Sequence, residues 1–212
     1  ELMGDRRSPD EARLFALADS HLGHFTAKEG RACRYSTSML AYHVARGHFL
    51  RAGRGVYRFA RYPYSPFEPI VVAWLECGPG AVVSHETALN LHGLSDVIPQ
   101  AIHLTLPRNQ RSRRAPAGAI LHTSLHPIAP SDRAVHPPSG LPMTSVIRTI
   151  IDVITSGTSS DEVAKAVSEL VASRPTVVDQ LRAAAVQRGG VVLEVITRAI
   201  GDRSHGLRSA TG

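Results

Sequence analysis

Apolar residues in the N-terminal quarter of the chain recur at helical spacing, broken twice by capping signals. Leu14, Leu17, Ala18 and Leu22 follow Ser8-Pro9-Asp10-Glu11, in which Ser8 suits a cap, Pro9 the first helical position and Glu11 the reciprocal place in a capping box. A first helix of about three turns is expected there, packed inward as scaffold. Thr26 and Glu29 repeat the capping-box spacing after Phe25 and predict a second helix from Ala27 to Cys33. Ser36 caps a third, which ends at Gly47, where a left-handed residue can close a helix, and Arg34-Tyr35 forms the turn between the two. On this third helix Leu40 and Val44 define the buried stripe, leaving Ser38, Tyr42, Ala45 and Arg46 on the opposite face.

The period then changes to that of strands. Leu50-Arg51-Ala52 and Val56 to Ala60 flank Gly53-Arg54-Gly55, a tight loop with an arginine at its tip. Alternation puts Tyr57 and Phe59 on one face, as core rather than as a platform for stacked bases. Prolines 63, 66 and 69 stiffen the next stretch, and the domain boundary is placed there, separating residues 1–64 from 65–212.

Beyond it the pattern predicts an apolar helix near Ile70 to Cys77, a Gly-Pro-Gly turn, and a helix capped by Ser84 and stopped by Gly93. Ala101 to Leu106 and Ala119 to Thr123 alternate as half-buried strands do. The basic loop between them, Arg108 to Arg114, reads either as a second nucleic-acid contact or as a solvated hairpin tip, the latter preferred. Ser145 to Val153 is helical, with Arg148 and Asp152 spaced to pair. From Ser159 on, Val163, Val167, Leu170 and Val171, then Val178, Leu181 and Ala185, then Val192, Val195, Ile196 and Ile200 mark three helices, and the polar tail from Asp202 is expected to fray. The expected class is α+β: an N-terminal winged helix-turn-helix, then a mixed α/β domain with a small sheet, helical from about residue 145.

Charge sharpens this outline. Between His21 and Tyr64 stand Lys28, Arg31, Arg34, Arg46, Arg51, Arg54, Arg58 and Arg61 against the single acid Glu29, a net of +7 where the whole chain carries +6. The basicity belongs to one segment, the footprint of a polyanionic partner. A hydroxyl, aromatic and Arg face on the third helix suits a major groove, and a hairpin bearing Arg51, Arg54 and Arg58 suits the backbone or minor groove.

Composition narrows the remaining classes. The share of hydrophobic residues, 43%, is ordinary for a globular protein. Cys33 and Cys77 lie far apart without a CxxC pattern, which supports neither a disulfide framework nor a zinc module and fits a reducing, cytoplasmic setting. The opening ELMGDRRSPDE has no apolar core, and no run approaches the roughly 18 apolar residues of a span, so neither secretion nor membrane insertion is expected. The chain opens on Glu1 rather than Met, as when a few native residues are missing or replaced.

Catalytic patterns are scarce. His85, Glu86 and His92 form HExxxxxH, not the HExxH that sets two ligands on adjacent turns, and His122 with His126 falls in strand and loop rather than helix. There is no GxSxG elbow, no GxxxxGK[ST] loop, no Gly-rich kinase loop, no HRD and no DFG, and the acids are dispersed without a metal-binding pattern. No catalytic residue, metal or cofactor is therefore expected, and any enzymatic activity would come from an atypical site.

Three runs in order, TAKEGRACRYSTSMLAYHVARGHFLRAGRGVYRF at 26 to 59, SHETALNLHGL at 84 to 94 and GLPMTSVIRTIIDV at 140 to 153, resemble the AbiEi-type antitoxins, transcriptional regulators of AbiE toxin-antitoxin operons. The first run is shared by many regulators; the other two are more specific. The resemblance implies a winged helix that binds inverted repeats in the operon's own promoter and represses it, and a C-terminal domain that counteracts a nucleotidyltransferase toxin. Carried onto this chain, DNA contact falls on Lys28, Arg31, Arg34, Ser36, Thr37, Ser38, Tyr42, Arg46, Arg51, Arg54 and Arg58. Arg148 and Asp152 are read as a structural tie rather than a catalytic pair. A monomer in solution with two copies on the operator is the expected arrangement. Three mechanisms follow: a binding antitoxin that masks or opposes the toxin; an atypical kinase that phosphorylates it; or, least favoured because the C-terminal third is plain helix, a DNA-processing enzyme with a winged targeting domain.

Overall fold

Two helix caps and a glycine reversal set the first part of the fold, seen in a computed structural model that describes residues 8–96, 98–124 and 128–206. Two units result. One runs through Ala81 and recruits Arg113–Ala117 and Pro137–Leu141; the other comprises Val82–Ser112, Gly118–His136 and the chain from Pro142.

In the first unit, helix α1 spans Glu11–Asp19 and is capped by Asp10, whose carboxylate accepts from Arg13 N at 3.0 Å. The expected cap, Ser8, lies two residues too early, because the Asp10 N–H is already committed to the Cys33 carbonyl at 3.0 Å and the chain turns helical only after it. Leu22 does not extend the helix: it takes φ 52 and Gly23 φ 80, reversing the chain into strand β1, His24–Thr26. The capping box at Thr26 and Glu29 forms in both directions and starts α2, Ala27–Ala32. Ser36 caps α3, Thr37–Ala45, by accepting from Met39 N, and Gly47 closes it at φ 73. Strands β2, Phe49–Gly53, and β3, Val56–Phe59, follow, and the antiparallel sheet has the order β1-β3-β2.

Phe25 is the centre of this unit, wholly buried against the rings of Phe49 at 5.0 Å, Phe59 at 5.5 Å and Tyr57 at 5.7 Å, with Leu14, Ala18 and Leu40 completing the core. Tyr57 and Phe59 are core, as alternation predicts. Helix α4, Glu68–Cys77, packs against all three strands, so the unit ends after Ala81 and not at residue 64. The prolines stiffen the link without dividing the unit, because α4 buries Val71, Ala73, Leu75 and Cys77.

Gly23 gives a sharp test of this packing. A Cβ there would overlap the Tyr62 ring, and the position requires positive φ. Gly23→Ala is expected to cost about 2–4 kcal/mol, combining backbone strain with overpacking. Gly47→Ala, with similar φ but open space around it, isolates the backbone part. Urea midpoints of the two variants check this; equal losses would remove the Tyr62 contact from the account.

The second unit holds β4, Val82–Val83; α5, His85–Leu91; β5, Ile102–Pro107; β6, Ala119–Ser124; β7, Arg133–Val135; β8, Pro142–Thr144; and α6, Val146–Ser156. It closes with α7, Ser160–Ser173, α8, Val177–Arg188, and α9, Gly190–Gly206. The mixed sheet has the order β6-β5-β4-β8-β7. Strands β5 and β6 are parallel, so the basic segment between them is a crossover with a 3₁₀ turn at Arg108–Gln110 rather than a hairpin tip. Within it, Arg113 donates to the Glu76 carbonyl at 3.2 Å.

Helix α6 starts at its Ser145 cap and runs to Ser156, three residues past the predicted end, where Gly157 closes it at φ 83. Its apolar face meets the three terminal helices in a core of Leu89, Ile150, Val153, Val163, Val167, Leu170, Leu181 and Ile196. On α8, Val177 is buried and Val178 only partly, a shift of one residue from the predicted stripe. Helix α9 continues through Gly206, beyond the Asp202 at which fraying is expected; residues 207–212 lie outside the described residues. Among the described residues no helix is long and apolar enough to cross a membrane.

Candidate nucleic-acid interface

Helices α2 and α3, the turn at Arg34-Tyr35 and the β2–β3 hairpin carry the residues on which DNA contact is expected. Lys28 and Arg31 are exposed on α2. Arg34 occupies the turn at φ 67, and its guanidinium donates to the Ser8 carbonyl at 3.2 Å while the residue stays exposed. Tyr35 turns inward and is buried, so the turn is pinned by an aromatic on one side and presents an arginine on the other.

At the start of α3, Ser36, Thr37 and Ser38 are all exposed. The Ser36 hydroxyl is engaged as cap and lies 2.9 Å from Ser38 Oγ, which makes Ser36 a positioning residue first. Tyr42 is 54% exposed, a large value for an aromatic ring, and carries the Arg46 guanidinium 5.4 Å from its centroid. Arg46 is also the C-cap of α3, where a cation is favoured by the helix dipole.

On the hairpin, Arg51 and Arg54 are exposed and Arg58 is not. The Arg54 N–H donates to Glu76 Oε1 at 2.8 Å and its guanidinium lies 3.9 Å from Glu76 Oε2, so α4 holds the tip while the side chain remains 56% exposed. Arg58 corrects the sequence reading. It sits on the central strand opposite His24 and Leu50, 9% exposed, with its guanidinium 3.0 Å from Glu68 Oε1 and donating to the Tyr62 carbonyl at 2.6 Å. The need to neutralise Glu68 on α4 draws it inward and away from any external phosphate.

The second unit has polar groups of its own. Arg148 Nε donates to Asp152 Oδ1 at 2.7 Å and its Nη1 is 3.3 Å from Asp132 Oδ2, the tie expected from the four-residue spacing with a second acid added. His92 is removed from His85: its Nε2 faces the Thr144 carbonyl at 2.8 Å. Instead His85 is joined by His103 and His122, with a ring nitrogen of each within 4.8 Å of the others. The rejected HExxxxxH spacing does not bear on this cluster, which strand pairing and not helical periodicity assembles. Alternation on β5 and β6 was the available signal, since His103 and His122 share a face only once the parallel register is known. His126 lies outside the described residues. Next to His103, Glu86 is ionised, held down to about 2 by that imidazole and by Thr158.

Residues 12–60 match the family described as Transcriptional regulator, AbiEi antitoxin. No curated protein matches the chain. Among solved structures the chain is similar to the crystal structure of the RV2827C protein from Mycobacterium tuberculosis, with a TM-score of 0.58 at 16% identity over 93% of this chain and 78% of that one. At that identity the likeness concerns the fold alone. The family match supports a role as antitoxin or transcriptional regulator and falls on the segment from α1 to β3. The match to this family is confined to residues 12–60, the helices and strands that carry the expected contact positions.

Proposed function

We propose that the first unit is a winged helix-turn-helix that binds inverted repeats in the promoter of its own operon, one copy per half-site, with α3 in the major groove and the β2–β3 hairpin as wing. The observation that carries this reading is that six of the expected contact residues, Lys28, Arg31, Arg34, Arg46, Arg51 and Arg54, are exposed cations on the segment that matches the regulator family. Ser38, Tyr42 and Arg46 are the base-reading candidates, and the remaining cations contact phosphate. The second unit then counteracts a nucleotidyltransferase toxin in the cytoplasm, a reading supported by the SHETALNLHGL and TSVIRTIID runs.

Gel shifts with promoter DNA test the DNA half. Arg46→Ala and Arg54→Ala should each weaken binding by about 1–3 kcal/mol if the lost contact is to a base, or reduce the salt slope by about one unit if it is to phosphate. Unchanged shifts in both variants would refute the placement. Co-expression with the neighbouring nucleotidyltransferase tests the antitoxin half: growth should be restored by the full chain and not by a chain truncated after Ala81.

A further inference from the structure

Three imidazoles from three separate segments of the second unit converge on one point. His85 opens α5, His103 lies on β5 and His122 on β6. The parallel register sets Thr105 opposite His122, so His103 and His122 are diagonal neighbours on one face of the sheet. His103 Nδ1 is 3.0 Å from His122 Nε2, and the His85 ring stacks on His122 with centroids 3.5 Å apart.

Hydrogen bonds do not satisfy this arrangement. A neutral imidazole carries one N–H, and His103 Nδ1 lies 3.0 Å from both His122 Nε2 and Glu86 Oε2, so one proton at that nitrogen cannot serve both. A neutral imidazole also keeps one bare lone pair, so the three rings bring three such nitrogens within 4.8 Å of one another. His85 Nδ1 lies 2.9 Å from Ser84 Oγ, which also accepts from Thr105 at 2.8 Å; donation to that hydroxyl leaves His85 Nε2 as the open nitrogen. His85 adopts φ 52, a strained conformation for a non-glycine residue. His85 and His122 border a cleft of about 290 Å³ shared with Asp152, whose buried Oδ2 also lacks a hydrogen-bond partner. The cluster is thus rich in lone pairs and borders a cleft.

We propose that His85, His103 and His122 bind one divalent transition-metal ion of the zinc class. Three neutral imidazoles favour zinc, cobalt, nickel or copper, whereas magnesium and calcium take oxygen ligands. A tetrahedral ion with metal–nitrogen bonds of about 2.0–2.1 Å sets its ligand nitrogens roughly 3.3 Å apart. The His103–His122 separation is already close to that, and side-chain rotation brings in the third ring. Glu86, whose Oε2 lies 3.0 Å from that same His103 nitrogen and whose Oε1 accepts from Thr158 at 2.5 Å, places a carboxylate beside the ion and offsets its charge. The site lies wholly in the second unit and rests on no assumption about DNA binding.

The full chain, stripped with a chelator and dialysed against Zn²⁺, should take up one zinc per chain by elemental analysis. Zinc should raise its melting temperature, and excess Mg²⁺ should not. His103→Ala and His122→Ala should each abolish both the stoichiometric uptake and the shift. Glu86→Gln should keep the stoichiometry and weaken binding roughly ten- to a hundredfold. If the histidine variants do not fold, Glu86→Gln decides: unchanged zinc affinity overturns the proposal. Substoichiometric zinc on the folded wild-type chain, or undiminished uptake by folded His103→Ala and His122→Ala, overturns it as well.

Discussion

Raising monovalent salt from about 50 to 200 mM should weaken the proposed operator binding by roughly three orders of magnitude for each copy bound. The expectation comes from counting the exposed cations among the expected contact positions. Lys28, Arg31, Arg34, Arg46, Arg51 and Arg54 are exposed, whereas Arg58 is closed off by Glu68. If each of the six neutralises one phosphate, the plot of log affinity against log salt falls with a slope of about −5 for one copy, and about twice that for two copies on an inverted repeat. Two of the six already have internal partners, Arg34 at the Ser8 carbonyl and Arg54 at Glu76, and these should contribute least. The Arg58→Ala variant supplies the contrast. It should lose fold stability by uncovering Glu68 while the slope measured on its folded fraction stays that of the wild type. A wild-type slope shallower than about −2 would mean that this face does not meet a phosphate backbone.

Local chemistry was legible in the chain and long-range pairing was not. The capping box at Thr26 and Glu29, the Ser36 cap and the closing glycine at 47 depend only on neighbours three to five residues away, and each forms where the spacing put it. Arg58 defeated the same reasoning because its fate depends on Glu68, a residue on a helix assigned to the other side of the proline link. That link misled for a related reason: prolines 63, 66 and 69 stop regular structure locally but say nothing about whether the next helix packs back, and α4 does. The parallel pairing of β5 and β6 had no local signature either. An eleven-residue interval could have been a long hairpin loop, and only the sheet order reveals the crossover that brings His103 and His122 to one face. The concentration of positive charge in the first unit was legible because charge is a property of composition, and the histidine cluster was not because it is a property of register.

Arg148→Ala should destabilise the second unit by about 3–5 kcal/mol, as expected when one partner of a buried ion pair is removed and the other is left uncompensated. Asp152 is 8% exposed on α6 between Ile151 and Val153, and the Arg148 Nε–H to Oδ1 at 2.7 Å is its charged partner, with Oδ2 lacking any hydrogen bond. Burial lifts the Asp152 carboxyl above its ordinary range even though Arg148 opposes the shift, so the paired carboxylate is held ionised against its surroundings. The sign of the pH dependence follows. A carboxyl whose value is raised on folding binds a proton more readily in the folded chain than in the unfolded one, so the cost of losing Arg148 should shrink as pH falls and grow as it rises through that raised value. Asp132, half exposed at the other end of the guanidinium, loses little, since screened surface pairs contribute a fraction of a kcal/mol. A double variant, Arg148→Met with Asp152→Leu, should recover most of the stability, because it replaces the pair by apolar groups of similar volume in a helix face already rich in isoleucine and valine. Urea midpoints of the single and double variants decide between the tie and a catalytic pair. Recovery of stability with retained antitoxin activity is the result expected of a tie; recovered stability with lost activity would assign the pair to the unit's chemistry instead.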